Sequence, residues 1–178
     1  MEIMPYSHEL SKAIRARDLA AVQKIVQSAS NPGLVVSNTG YLATAIDVEA
    51  PEIVSFLIKV GANVNGLIDG ESRMLMAAAY VGNLEICKLL VEAGAKVNAV
   101  DSQGESAIFK AACGGHQEVF NYLAPLSRER LRAEAEMELE EGIRFKQVGE
   151  DVELRFVPER GENAPILNKY DRPRRRLG

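Results

Sequence analysis

Tryptophan is absent from the 178-residue sequence, aromatic residues make up only 6% of it, and there are just two cysteines and two histidines. Each scarcity excludes something. With so few large rings, the core has to be built from Ala, Leu, Ile and Val, which suits closely packed helices of small residues. Cys87 and Cys113 are too few for the disulfide framework of a small secreted domain, so both are expected as reduced thiols. No apolar run is long enough to span a bilayer, which argues against a membrane partner. The start, Met1-Glu2-Ile3-Met4-Pro5-Tyr6, has neither the basic region nor the apolar region of a secretory leader, so a cytoplasmic location is expected. A net charge of −4 at pH 7 gives no electrostatic footprint for nucleic acid over the whole molecule. It mainly favours solubility. Gly104, Gly114 and Gly115 are not followed by Gly-Lys-Ser/Thr, so no phosphate loop is present and no cofactor is expected.

What the chain does have is a repeat. Gly61-Ala62-Asn63-Val64-Asn65 returns as Gly94-Ala95-Lys96-Val97-Asn98, 33 residues later. Ala78-Ala79-Tyr80-Val81-Gly82-Asn83-Leu84-Glu85-Ile86 returns at the same interval as Ala111-Ala112-Cys113-Gly114-Gly115-His116-Gln117-Glu118-Val119. A degenerate first copy starts at Ala13-Ile14-Arg15-Ala16-Arg17-Asp18 and lacks the glycine at its corner. A fixed period of this size means stacked supersecondary units, each too small to bury its apolar face alone. Each copy reads as a turn, a short helix, a corner and a longer helix. The short helices are expected over Leu42–Val48, Met74–Val81 and Ala107–Cys113. The longer ones are expected over Leu19–Ser28, Glu52–Val60, Leu84–Ala93 and Gln117–Leu123. In Leu84–Ala93, the helical spacing of Ile86, Leu89, Leu90 and Ala93 marks the core face.

These residues resemble the ankyrin repeat family. The fourth copy carries the resemblance best, with Asp101, Gly104, Ala111-Ala112, Gly115-His116 and Glu118-Val119 in the family's positions. The resemblance covers roughly residues 8–126. The fold class expected is therefore all-α, a solenoid of about four helix-turn-helix repeats over 8–36, 37–67, 68–100 and 101–126. The family's Thr-Pro-Leu-His becomes Ser106-Ala107-Ile108-Phe109 here, and Arg73-Met74-Leu75-Met76 in the third copy. The turns that the family histidine would buttress are expected to be less tightly fixed.

Beyond Leu126 the period stops. Ser127 is a candidate N-cap for a capping helix over 127–142, with Leu131, Ala135 and Leu139 as its apolar stripe and Gly142 as its end. Apolar alternation through Phe145, Val148, Val152, Leu154 and Phe156 suggests a hairpin over 143–157. The remainder, 158–178, reads as a flexible tail ending in the basic cluster Arg172-Pro173-Arg174-Arg175-Arg176.

The resemblance implies a binding module with a concave surface of turn tips and first helices. Carried onto this sequence, the inner stripe is Arg15, Asp47, Tyr80 and Cys113, flanked by Ala16, Val48, Val81 and Gly114. The tips are Leu67, Ile68, Asp69 and Glu71, then Ser102, Gln103 and Glu105. Tyr80 beside Val81 is the expected anchor, central and aromatic. The plainer reading is that Val48 and Val81 pack only against neighbouring turns. Cys113 and His116 could suggest a thiol–imidazole pair or half a metal site. His116 instead occupies the repeat's own Gly-His position, and His8 lies at the far end, so catalytic and metal roles are not expected. The expected function is non-catalytic binding of a protein partner in the groove by a chain monomeric on its own. The alternative is an accessory or inhibitory subunit acting through its C-terminal extension, by strand addition or through the basic tail. A nucleic-acid role has only that tail in its favour.

Overall fold

The computed structural model describes residues 7–68, 70 and 72–152. The described helices are α1 (Ser7–Arg15), α2 (Leu19–Ser28), α3 (Pro32–Val36), α4 (Thr39–Asp47), α5 (Pro51–Val60), α6 (Met74–Val81), α7 (Leu84–Glu92), α8 (Ala107–Cys113), α9 (Gln117–Leu123) and α10 (Glu129–Val152). Strands β1 (Leu67–Ile68) and β2 (Ser72–Arg73) pair antiparallel between α5 and α6, with Leu67 opposite Arg73. An isolated bridge from Val100 to Ser106 makes the corresponding turn before α8.

The helices form two columns. In the inner column α4 packs on α1, α6 on α4 and α8 on α6; in the outer, α5 packs on α2, α7 on α5 and α9 on α7. Each inner helix also packs on the outer helix that follows it. Small residues set the inner spacing: Ala45, Ala78, Ala79, Ala111 and Ala112 are fully buried. Outer helices contribute the larger side chains Ile53, Leu57, Ile86, Leu90 and Leu123. Leu90, not Leu89, is the fully buried leucine of α7; Leu89 is only partly covered.

Every corner between inner and outer helix needs one left-handed residue. Gly82 (φ 86°) and Gly115 (φ 66°) supply it cheaply, whereas Arg17 (φ 56°) and Glu49 (φ 53°) take the same conformation at a steric cost. The first two corners are held by other means. The Arg17 guanidinium donates to the Glu49 carbonyl, and Asp18 caps α2 by accepting from the Ala21 amide. At the later corners the His116 ring lies between glycines. A Cβ on Gly82 would stand 2.1 Å from it and one on Gly114 2.3 Å. The ring's Nε2 donates to the Tyr80 carbonyl at 2.9 Å, joining the third and fourth repeats.

Asparagine amides lace the outer ends. Asn65 donates to the Gly94 carbonyl and accepts from the Lys96 amide. One period later, Asn98 donates to the Leu126 carbonyl and accepts from the Arg128 amide at 2.7 Å. Asn98 thereby fixes where α10 begins, although the fourth repeat has no Gly-Ala-x-Val-Asn corner of its own.

Four expectations about local structure are corrected. The turn before α4 contains α3, which starts at Pro32 with Asn31 accepting from the Leu34 amide and buries Val35 and Val36. Ser127 does not cap toward α10; its hydroxyl donates back to the Leu123 carbonyl. The fourth turn is firmly tied without the family histidine. Asp101 accepts from the Gln103 and Glu105 amides, and Lys110 pairs with both Asp101 (3.3 Å) and Glu105.

The fourth correction is the largest. Gly142 does not end the C-terminal helix, because the stripe of Leu131, Ala135 and Leu139 continues through it. Ala135, Leu139 and Gly142 are buried against the array, and α10 packs on α8 as a fifth member of the inner column. The helix runs on to Val152, so 143–152, expected as the first strand and turn of a hairpin and the start of its second strand, is helical. The rest of that hairpin and the tail 158–178 lie outside the described residues.

Candidate functional site

The inner column leaves one side open, and an open groove of about 840 Å³ runs along it. Its lining comes from all four repeats: Arg15 of α1; Ala43, Thr44, Ile46, Asp47 and Val48 in and after α4; Ile68 and Ser72 of the hairpin; Met76, Ala77, Tyr80 and Val81 of α6; and Lys110 of α8. The floor is mostly apolar, with Met76, Ala77, Val48 and Val81 at its centre. Charged groups stand along it, Arg15 and Asp47 toward the first repeats and Lys110 toward the last.

The positions singled out from the sequence divide into three groups. Arg15, Asp47, Val48, Tyr80 and Val81 are brought together in the groove. Tyr80 and Val81 are half-buried there, and Val48 lines the groove while also packing against the core. Cys113 is not part of the groove lining. Its Sγ lies 3.8 Å from the Glu138 carboxylate of α10, which covers the position that the period assigns to the stripe. Of the tips, Leu67 is 41% exposed, Ser102 and Gln103 are exposed, and Glu105 is engaged with Lys110. Asp69 and Glu71 lie outside the described residues.

The groove also contains residues that the sequence reading missed, and a signal existed for several. Ala43, Thr44, Met76 and Ala77 precede Asp47, Val48, Tyr80 and Val81 by four residues each, one helical turn back on the same face. Lys110 had no such signal, because its place depends on the carboxylates of the fourth turn. Those carboxylates raise its pKa against the lowering effect of burial and keep it charged.

His116 is directed at the Tyr80 carbonyl, whereas Cys113 faces Glu138. Cys87 is fully buried in the outer column, and burial pushes its thiol up to about 12. Among the described residues, no group of three or more His, Cys, Asp and Glu side chains is placed to hold a metal ion. None of the described helices is long and apolar enough to cross a membrane.

No curated protein matches the chain. The family profile described as ankyrin repeats (3 copies) matches it twice, over residues 10–101 and 41–133. Those spans include every inner and outer helix from α2 to α9, together with the start of α10. The chain belongs to the ankyrin repeat family.

Proposed function

We propose that this chain is a non-catalytic module that binds a protein partner in the concave groove. The observation that carries this reading is the convergence of side chains from all four repeats on one open, mostly apolar channel. Ankyrin repeats are generally protein–protein interaction modules. A groove set on stacked, buried alanines is preorganised, so little ordering entropy opposes association. Tyr80 and Val81 are the anchor, an aromatic ring beside a β-branched side chain at the middle of the channel. Both cysteines are free thiols, in keeping with a cytoplasmic setting.

The test is capture of binding proteins from source-cell lysate by three forms in parallel. These are the whole chain, a Tyr80→Ala/Val81→Ala variant, and a chain ending at Val152. The cut falls after Val152, where α10 ends, so that Gly142 and its contact with α8 are kept. The groove reading expects a partner to be held by the whole chain and the shortened chain, and at least tenfold more weakly by the groove variant. A partner that ignores the groove variant and is lost on shortening would move the function to 153–178.

A further inference from the structure

The groove has a candidate occupant within the chain itself. Residues 153–178 follow α10, and their charge is opposite in sign to that of everything before them. They carry seven Lys and Arg against four Asp and Glu, whereas 1–152 carries 14 against 21. Opposite net charge on two parts of one chain favours contact between them. The segment also has side chains suited to an apolar floor. Ala164-Pro165-Ile166-Leu167 and Tyr170 stand directly before Arg172-Pro173-Arg174-Arg175-Arg176.

The path of α10 brings this segment within reach of the groove. Glu138 faces Cys113, and Gly142 lies against Ala112 and Gly115, so α10 passes the end of α8 and goes on to Val152. Tyr80 and Val81 close α6 at that same end of the column, one repeat earlier. Helical rise places Val152 about 15 Å beyond Gly142. Two inner-helix spacings of about 8–10 Å each separate α10 from α6. An extended chain of about eleven residues covers the sum of these distances. Residues 153–163 therefore suffice as a bridge, and 164–178 remain for the groove. In that order the apolar residues arrive first, at Ala77, Tyr80 and Val81, and the arginines follow toward the exposed Asp47 of α4. Lys110 does not oppose them, because Asp101 and Glu105 already pair with it.

We propose that residues 164–178 lie in this chain's own groove as an internal competitor, which a protein partner must displace in order to bind. The competition rests on the groove reading; the docking of the segment does not. A tethered segment acts at an effective concentration of about 1 mM, so a free-peptide dissociation constant of about 0.1 mM leaves roughly one groove in ten open. The chain ending at Val152 should then hold its partner roughly tenfold more tightly than the whole chain.

The test compares amide NMR spectra of three forms: the whole chain, the whole chain carrying Ile166→Ser/Leu167→Ser, and the chain ending at Val152. Amides of Val48, Ala77, Tyr80 and Val81 should differ between the whole and the shortened chain, and the double variant should resemble the shortened one. A synthetic peptide of residues 153–178, added to the shortened chain, should restore the whole-chain positions saturably and less tightly at high salt. Tyr80→Ala should weaken that peptide roughly tenfold and Asp47→Asn roughly threefold. Identical groove amides in the whole and shortened chains would overturn the proposal. So would peptide shifts confined to Glu134, Glu136 and Met137, which would put the segment on the acidic side of α10. Groove shifts that appear only as protein concentration rises would assign the groove to a second copy's segment and equally overturn it. Partner capture separates the two readings. Capture that needs Tyr80 and Val81 but is equal for whole and shortened chains fails the competitor alone. A peptide that fills the groove while capture ignores Tyr80 and Val81 fails the groove reading alone.

Discussion

Replacing Gly142 by alanine should destabilise the protein, against the ordinary rule for a glycine within a helix. In an exposed helix interior that change gains about 1 kcal/mol, because glycine has the greater backbone entropy to lose. Here a Cβ would stand 1.9 Å from the Ala112 carbonyl oxygen and 3.0 Å from the Gly115 amide nitrogen. Both neighbours are backbone, so no rotamer change relieves the overlap. The whole of α10 must draw back from α8, loosening the burial of Ala135 and Leu139. Overpacking of this kind costs about 1–3 kcal/mol, and the absence of a flexible neighbour puts this case at the upper end. After the propensity gain, a net loss of about 2 kcal/mol remains, which corresponds to roughly 4–8 °C in Tm for a chain of this size. The assay is thermal and urea unfolding, with hydrogen exchange on α10 to show that the loss starts there. A Tm equal to or above that of the parent would mean that α10 does not cross α8 at Gly142, and the account of the fifth inner helix would fall.

Three further outcomes are expected. Leu90→Ala removes a fully buried side chain from the outer column and should cost about 2–5 kcal/mol in urea unfolding, clearly more than Leu89→Ala; equal losses would refute the assigned core face. Asn98→Ala removes two bonds that fix the start of α10 and should cost about 1–3 kcal/mol while speeding exchange there; unchanged exchange in α10 would count against the lacing role. The Cys87 thiol keeps its proton to about 12 when folded, against an ordinary 9.0. The unfolded chain therefore loses that proton first, and stability falls as pH rises from about 9 toward 12. A Cys87→Ala variant should show a flatter decline over that window, and an identical slope would contradict the burial of the thiol.

The array was legible because its period imposes one solution on many positions at once. The bounds of α6, α8 and α9 follow from the recurrence of Ala-Ala and the glycine corner, and those of α2 from alignment of the degenerate first copy with them. The groove was half legible for the same reason, since Arg15, Asp47 and Tyr80 occupy one recurring position. Cys113 occupies that position too, and there the inference failed. The helix that covers it belongs to no repeat, so nothing in the period announced its path. Gly142 shows how the error arose. A glycine following an acidic, weakly apolar run reads as a helix stop on local grounds. In the folded chain, the absence of a side chain is what lets α10 touch α8, and a contact across more than twenty residues of sequence decides against the local signal. The strained corners at Arg17 and Glu49 make the same point in reverse. Neither residue favours a left-handed conformation, yet the stacking of α1 and α4 on their outer partners imposes it.

Hydroxyl-radical footprinting of the chain, alone and bound to the partner it captures, tests the central claim most directly. Binding in the groove predicts strong protection of Tyr80, with the exposed Met137 on α10 unchanged. Protection confined to the outer helices or to 153–178, with Tyr80 reacting as in the free chain, would contradict it.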